Sequence, residues 1–185
     1  MITFTVAPST ISFFQQQAQQ KIAAEKWGKD GRPVEIKIKN FVQAWITEEA
    51  FKQILIQYGK WFNNRALYFG DAAGAGPDFV IKLNGELKNL GLRSIDHRSY
   101  QEFKSVAYPN DRFEQEQDKI ADYHVACYAQ NGTVSFLGLI SKKELLAELS
   151  KAERKYSKAN QEYFRTVPLQ LFRSEALFDM LQKLE

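Results

Sequence analysis

The sequence predicts an α/β protein in which helices flank a central mixed β-sheet. Three observations carry that expectation. Short apolar runs that read as strands alternate with stretches of helical period along the chain. Two Asn-Gly pairs, Asn84-Gly85 and Asn131-Gly132, each stand between such runs and mark hairpins, because a two-residue type I′ turn needs positive φ at both central positions. Ser141-Lys142-Lys143-Glu144 has the form of a capping box, so a helix directly follows the second hairpin.

The elements follow in chain order. Residues 10–27 read as a helix, with Pro8-Ser9 as its start signal and Gly28 as its stop. Ile11, Phe14, Ala18, Ile22 and Lys26 fall along one side, which leaves the run Gln15-Gln16-Gln17-Ala18-Gln19-Gln20 largely on a solvated face. Residues 33–39 alternate apolar and charged with period two and predict a half-buried strand. Thr47 is a suitable N-cap for a helix reaching Gly59, with Phe51, Ile54, Leu55, Tyr58 and Phe62 on one face and Glu48 at its edge. A loop of small residues, 70–76, leads into Pro77-Asp78; it lacks the Gly-Lys-Ser/Thr ending of a phosphate-binding loop. Residues 122–129 and 133–140 form the second hairpin, and Leu145, Leu146, Leu149 and Ala152 line the capped helix behind it. Residues 166–172 read as extended, and Ser174 as the cap of a last helix carrying Leu177, Phe178, Leu181 and Leu184.

Composition narrows the chemistry. The 185 residues suit one domain with a sizeable core, at 44% hydrophobic and 14% aromatic content. No stretch is long and apolar enough to span a membrane, no signal peptide opens the chain, and the expected location is the cytoplasm. Cys127 is the one cysteine, and His97 and His124 are the two histidines, so neither a disulfide framework nor a Cys/His zinc site is available within one chain. Any metal chemistry falls to carboxylates, which favours Mg²⁺ or Mn²⁺. A formal charge of +3 permits nucleic-acid binding without arguing for it.

The segment richest in chemistry is 76–89, Gly-Pro-Asp-Phe-Val-Ile-Lys-Leu-Asn-Gly-Glu-Leu-Lys-Asn. Asp78, Glu86 and Lys88 supply two carboxylates and a lysine within one strand–turn–strand unit. Glu86 and Lys88, two apart on a strand, share a face. Three other Glu-x-Lys triplets, at 35–37, 102–104 and 153–155, lack the Pro-Asp and the apolar run upstream. The arrangement resembles the PD-(D/E)xK nuclease superfamily, with Pro77-Asp78 as its first half and Glu86-Leu87-Lys88 as its second. The likeness covers about residues 45–145, and the order of strand, hairpin, strand and capped helix from 122 onward is similar to the second half of many such domains.

That resemblance implies a restriction-endonuclease-like fold over 1–185, with a core at about 45–157 and N- and C-terminal extensions. It implies Mg²⁺- or Mn²⁺-dependent hydrolysis of DNA. Asp78, Glu86 and the Leu87 carbonyl would hold the metal, Lys88 would serve the attacking water, and Glu48 would be the acid from the preceding helix. Arg93, Ser94, His97 and Arg98 would contact DNA, and a small restriction enzyme would be a homodimer matching a palindromic site. The alternatives are a structure-selective or repair nuclease of the same fold, and a non-catalytic nucleic-acid-binding or oligomeric protein. One conflict is visible in the sequence itself. If Asn84-Gly85 is the turn, Leu83 faces Glu86 and Asp78 sits opposite Gly91, about 16 Å along the ladder from Glu86; the family pattern requires a connection centred nearer Lys82 or a bulge.

Overall fold

A computed structural model describes residues 1–24, 33–64 and 77–185. Strand β1 (Ile2–Thr5) and helices α1 (Pro8–Ala24) and α2 (Val34–Gln57) precede β2 (Phe62–Asn64), β3 (Phe79–Leu83) and β4 (Glu86–Ile95). After a π-type turn at Ser99–Phe103 come β5 (Ser105–Pro109), α3 (Asn110–Gln115), β6 (Tyr123–Gln130) and β7 (Thr133–Ser141). Helix α4 (Lys142–Lys151), β8 (Lys155–Ser157), β9 (Glu162–Pro168) and α5 (Ser174–Lys183) complete the chain.

Six strands form a mixed sheet in the order β1-β7-β6-β4-β3-β2, and three form a smaller sheet, β5-β9-β8. In the large sheet β4 and β6 run parallel and every other neighbour is antiparallel. The parallel pair requires a crossover, and β5 and α3 lie within it. The mixed sheet with flanking helices agrees with the expected α/β class.

Two apolar clusters hold the layers together. The larger lies between α1, α2, α5 and the six-stranded sheet; Phe51 meets Phe79 edge-on at 5.2 Å and Phe136 at 5.4 Å. Burying such a ring contributes about 1.5–3 kcal/mol relative to leaving it exposed. The smaller joins the other side of β4, β6 and β7 to the second sheet and α4 through Ile95, Tyr108, Ile140, Leu145 and Val167.

Both Asn-Gly hairpins form. Asn84 and Gly85 have φ of 51° and 82°, and Asn131 and Gly132 have 50° and 78°. The Ser141 capping box is present in full, with Glu144 N–H donating to the Ser141 hydroxyl and Ser141 N–H to the Glu144 carboxylate. Helix α1 buries Phe14 and Ala18 as its pattern predicts; Lys26, Gly28 and the 70–76 loop lie outside the described residues.

Three local expectations are corrected. Residues 34–39 are not a strand but the first turns of α2. The alternation over Val34, Ile36 and Ile38 is short, and it runs on into Ile38, Phe41, Val42 and Trp45, a spacing of three and four that seats one helical stripe on the larger core. Pro33 precedes the helix, and its carbonyl accepts from Lys37 N–H. Thr47 is therefore not an N-cap; it lies mid-helix and its hydroxyl donates to the Gln43 carbonyl at 2.8 Å, four residues back. Ser174 opens α5 as a helical residue, with Arg173 in the cap position and no side-chain cap bond.

Gly138 shows how tightly the sheet meets the chain beyond it. Leu139 and Arg173 exchange two backbone hydrogen bonds at 3.0 Å, and a Cβ on Gly138 would fall 2.1 Å from the Phe172 carbonyl oxygen. Gly138→Ala is expected to destabilise the fold by about 3 kcal/mol through this backbone collision. Urea denaturation of the two proteins side by side measures it.

Candidate functional site

The Asn84-Gly85 turn decides the geometry of the predicted site. Cross-strand pairing runs from Leu83–Glu86 at the turn to Phe79–Leu90 at the far end. Asp78, one residue before β3, thus lies opposite Gly91, while Glu86 lies at the tip, about 16 Å away along the ladder. One metal ion cannot take both carboxylates at about 2.1 Å each. The expectation that Asp78, Glu86 and the Leu87 carbonyl share a metal is corrected accordingly, and with it the role of Lys88 beside that metal.

At the tip, Glu86 and Leu87 are exposed, and Glu86 forms an ion pair with Lys88. The hydrogen bond and charge of Lys88 lower the Glu86 carboxyl below its ordinary range, and Glu86 in turn raises the Lys88 ammonium. This is a solvated surface pair of the kind that contributes little.

The other end of the hairpin opens onto a cleft of about 390 Å³ between α2, the middle of β4 and the second sheet. Four of the predicted residues meet there: Glu48, Asp78, Arg93 and Ser94. Asp78 is held by backbone. Its Oδ2 accepts from Leu92 N–H at 2.6 Å, and its carbonyl accepts from the Asn64 amide at 3.3 Å. Strand pairing stops at Phe79, so the carboxylate takes the β4 N–H that a further strand residue would have taken.

Helix α2 supplies the facing wall. Glu48 is only 8% exposed, and Thr47 is buried next to it. The Gln43 amide donates to the Ser94 hydroxyl at 2.9 Å and to the Ile95 carbonyl at 3.1 Å, and Thr47 lies 3.2 Å from the same hydroxyl. These bonds fix α2 across β4 and explain why a helix this well packed keeps polar residues at its centre. Ser94 accordingly serves as an anchor for α2 at the cleft wall.

Arg93 leaves the opposite face of β4. Its guanidinium lies 4.6 Å from the centre of the Tyr108 ring, and its Nε donates to His124 Nδ1 at 3.3 Å. His124 is fully buried, and a Cβ on Gly91 would fall 2.9 Å from its Nδ1. The imidazole therefore occupies the space of a side chain at 91. The triplet beside Asp78 is Gly91-Leu92-Arg93, with glycine and arginine at the ends where a Glu-x-Lys pair would have to lie to share a site with that aspartate.

His97 and Arg98 fall outside the cleft, on the exposed stretch after β4. His97 is bonded to the Tyr128 hydroxyl at 2.9 Å, and Arg98 pairs with Glu102 at 2.8 Å. The sequence reading missed Gln43, Tyr108 and Glu162, all of which line the cleft. Among the described residues no three His, Cys, Asp or Glu side chains converge as a metal-binding group. No helix among them is long and apolar enough to cross a membrane.

No protein-family model matches this chain, and no curated protein matches it. The class of protein is thus defined by its own architecture: a mixed α/β chain with an acid-lined polar cleft between one helix and two sheets.

Burial lowers the His124 imidazole well below the ordinary value of 6.5, and the charges of Arg93, Lys142 and Arg112 push the same way. The folded state keeps this ring neutral, while the unfolded chain takes up a proton below about pH 6.5. His124 therefore costs no stability above that pH and removes stability as the pH falls below it. Thermal unfolding between pH 7.5 and 5 should show a steeper loss for the wild type than for His124→Leu, each compared with its own value at pH 7.5.

Proposed function

We propose that the chain is a metal-dependent nuclease of the restriction-endonuclease-like class, working in the Glu48–Asp78 cleft and not at the hairpin tip. The observation that carries this is the arrival of two acids from separate elements in one polar cleft, with an arginine beside them. Glu48 comes from the helix preceding the Pro-Asp strand, the position from which the resembled family draws an acid. Glu48 and Asp78 are the residues that would hold Mg²⁺ or Mn²⁺, which takes one or two protein carboxylates and keeps several waters. When bound, such a metal neutralises phosphoryl charge and makes its water more acidic. The donor set fits, being all oxygen.

The chain's own residues do the rest. Asp78 is oriented by the Leu92 N–H, and Glu48 by its burial in α2. Arg93, which lines the same cleft, would offer a permanent positive charge to a phosphodiester but cannot accept a proton, so the base role of the family's lysine has no counterpart at this position. DNA as substrate belongs to the same proposal.

A second reading has its own observation. Gly91 stands where a metal-sharing acid would pair with Asp78, and His124 fills the space. That favours a non-catalytic nucleic-acid-binding protein that keeps the architecture.

Nicking of supercoiled plasmid in Mg²⁺, in Mn²⁺ and in EDTA separates the two. Metal-dependent nicking is expected from the wild type and from Glu86→Gln. Asp78→Asn and Glu48→Gln should each lose about 10²-fold or more of the rate. Nicking that survives in Asp78→Asn, or that disappears in Glu86→Gln, sinks the cleft assignment; binding without nicking in either metal establishes the second reading.

A further inference from the structure

We propose that the open face of the second sheet is a track for single-stranded nucleic acid that feeds the cleft, an inference that rests on the nuclease reading for its direction. A groove of about 730 Å³ lies on this face. It is continuous with the cleft, because Ala107, Glu162 and Phe164 line both.

The sheet's alternation explains its composition. Val106, Tyr108 and Val167 turn inward to the smaller core. The residues that alternate with them, Ser105, Ala107 and Thr166, turn outward with Phe164, and their β8 neighbours on that face are Lys155 and Ser157. An apolar partner helix would require an apolar face. This one offers hydroxyls, a small floor, aromatic surface and charges of both signs.

Lysines appear along the path only beyond the cleft. The cleft holds Glu48 and Asp78, with Glu162 at the junction. Beyond it stand Lys155 and Lys104, and the acid at that end, Glu102, is already paired with Arg98. Phe103, at the rim, is 58% exposed with the Arg98 guanidinium 5.0 Å from its ring centre. Two lysines beside an exposed phenyl ring suit a strand whose phosphates meet lysines and whose bases stack on aromatics. Only an unpaired base has a free face to give Phe103, since duplex bases are already stacked on one another. The geometry therefore points to a single strand, or the single-stranded part of a branched substrate.

The test is fluorescence anisotropy in EDTA, with a fluorescein-labelled oligothymidine and a labelled duplex of equal length. The single strand should bind at least about tenfold tighter than the duplex. Phe103→Ala should weaken it by about fivefold or more, as loss of one stacked base does. The double variant Lys104→Asn, Lys155→Ala should weaken it further and reduce the slope of log K against log salt by about 1.4, at 0.7 per phosphate contact. Asn is chosen at 104 because that residue has a φ of 46°, which Asn tolerates. Oligouridine in place of oligothymidine tells RNA from DNA. Equal binding of strand and duplex, or unchanged binding by the lysine double variant, overturns the track. Because this readout needs no metal, its failure is separable from that of the nuclease reading: a protein that nicks plasmid without this preference keeps the cleft and loses the track, and one that binds as stated without nicking keeps the track and loses the hydrolysis.

Discussion

The register of the β3–β4 hairpin is the constraint on which the site depends. Positive φ at Asn84 and Gly85 makes a two-residue connection, and every pair from Leu83–Glu86 to Phe79–Leu90 follows from it. A slip of one residue would turn Phe79, Ile81 and Leu83 away from the larger core, exposing three side chains that are now buried. The apolar face and the turn agree, so the register is specified twice. Its chemical result is that Asp78 meets Gly91, Leu92 and Arg93, and Glu86 and Lys88 are left to each other in solvent.

Much of the architecture was legible from local rules whose physical basis is short-range. Both Asn-Gly turns and the Ser141 capping box are fixed by a few adjacent residues, and they form as read. The start of α2 was not legible in the same way. Its first residues alternate like a strand, and only packing of Ile38, Val42 and Trp45 on the core settles the period. Thr47 suffered from that error, since a threonine that caps a helix and one that bonds back to the preceding turn look alike in sequence. The site divides on the same line. Glu48, Asp78, Arg93 and Ser94, put forward by the family resemblance, line one cleft. The pairing of Asp78 with Glu86 came from a motif's outline, and the ladder refused it. Tyr108 and Glu162 come from strands of the second sheet, and no spacing near the hairpin points to them.

The cleft walls balance opposing demands. Helix α2 must bury a stripe of aromatic and aliphatic residues and still present Gln43, Thr47 and Glu48 at its middle. The polar atoms of Gln43 and Thr47 are reconciled with burial through Ser94 and the Ile95 carbonyl, so one strand residue anchors the helix beside Glu48. On the other face of β4, His124 and Tyr108 hold Arg93 between an imidazole nitrogen and an aromatic ring. The strand thus carries an acid-facing side and a cation-facing side within three successive residues.

The second sheet has a consequence for how the molecule can be divided. Its strand β5 lies within the crossover between β4 and β6, and its strands β8 and β9 come only after α4. The cleft therefore draws its walls from residue 40 to residue 164. A fragment ending with α4 would keep both acids and the arginine yet lack the β9 wall, leaving β5 as an edge without its partner. Neither half of the chain owns the cavity, so splitting this protein between α4 and β8 would divide the walls of the pocket between two fragments.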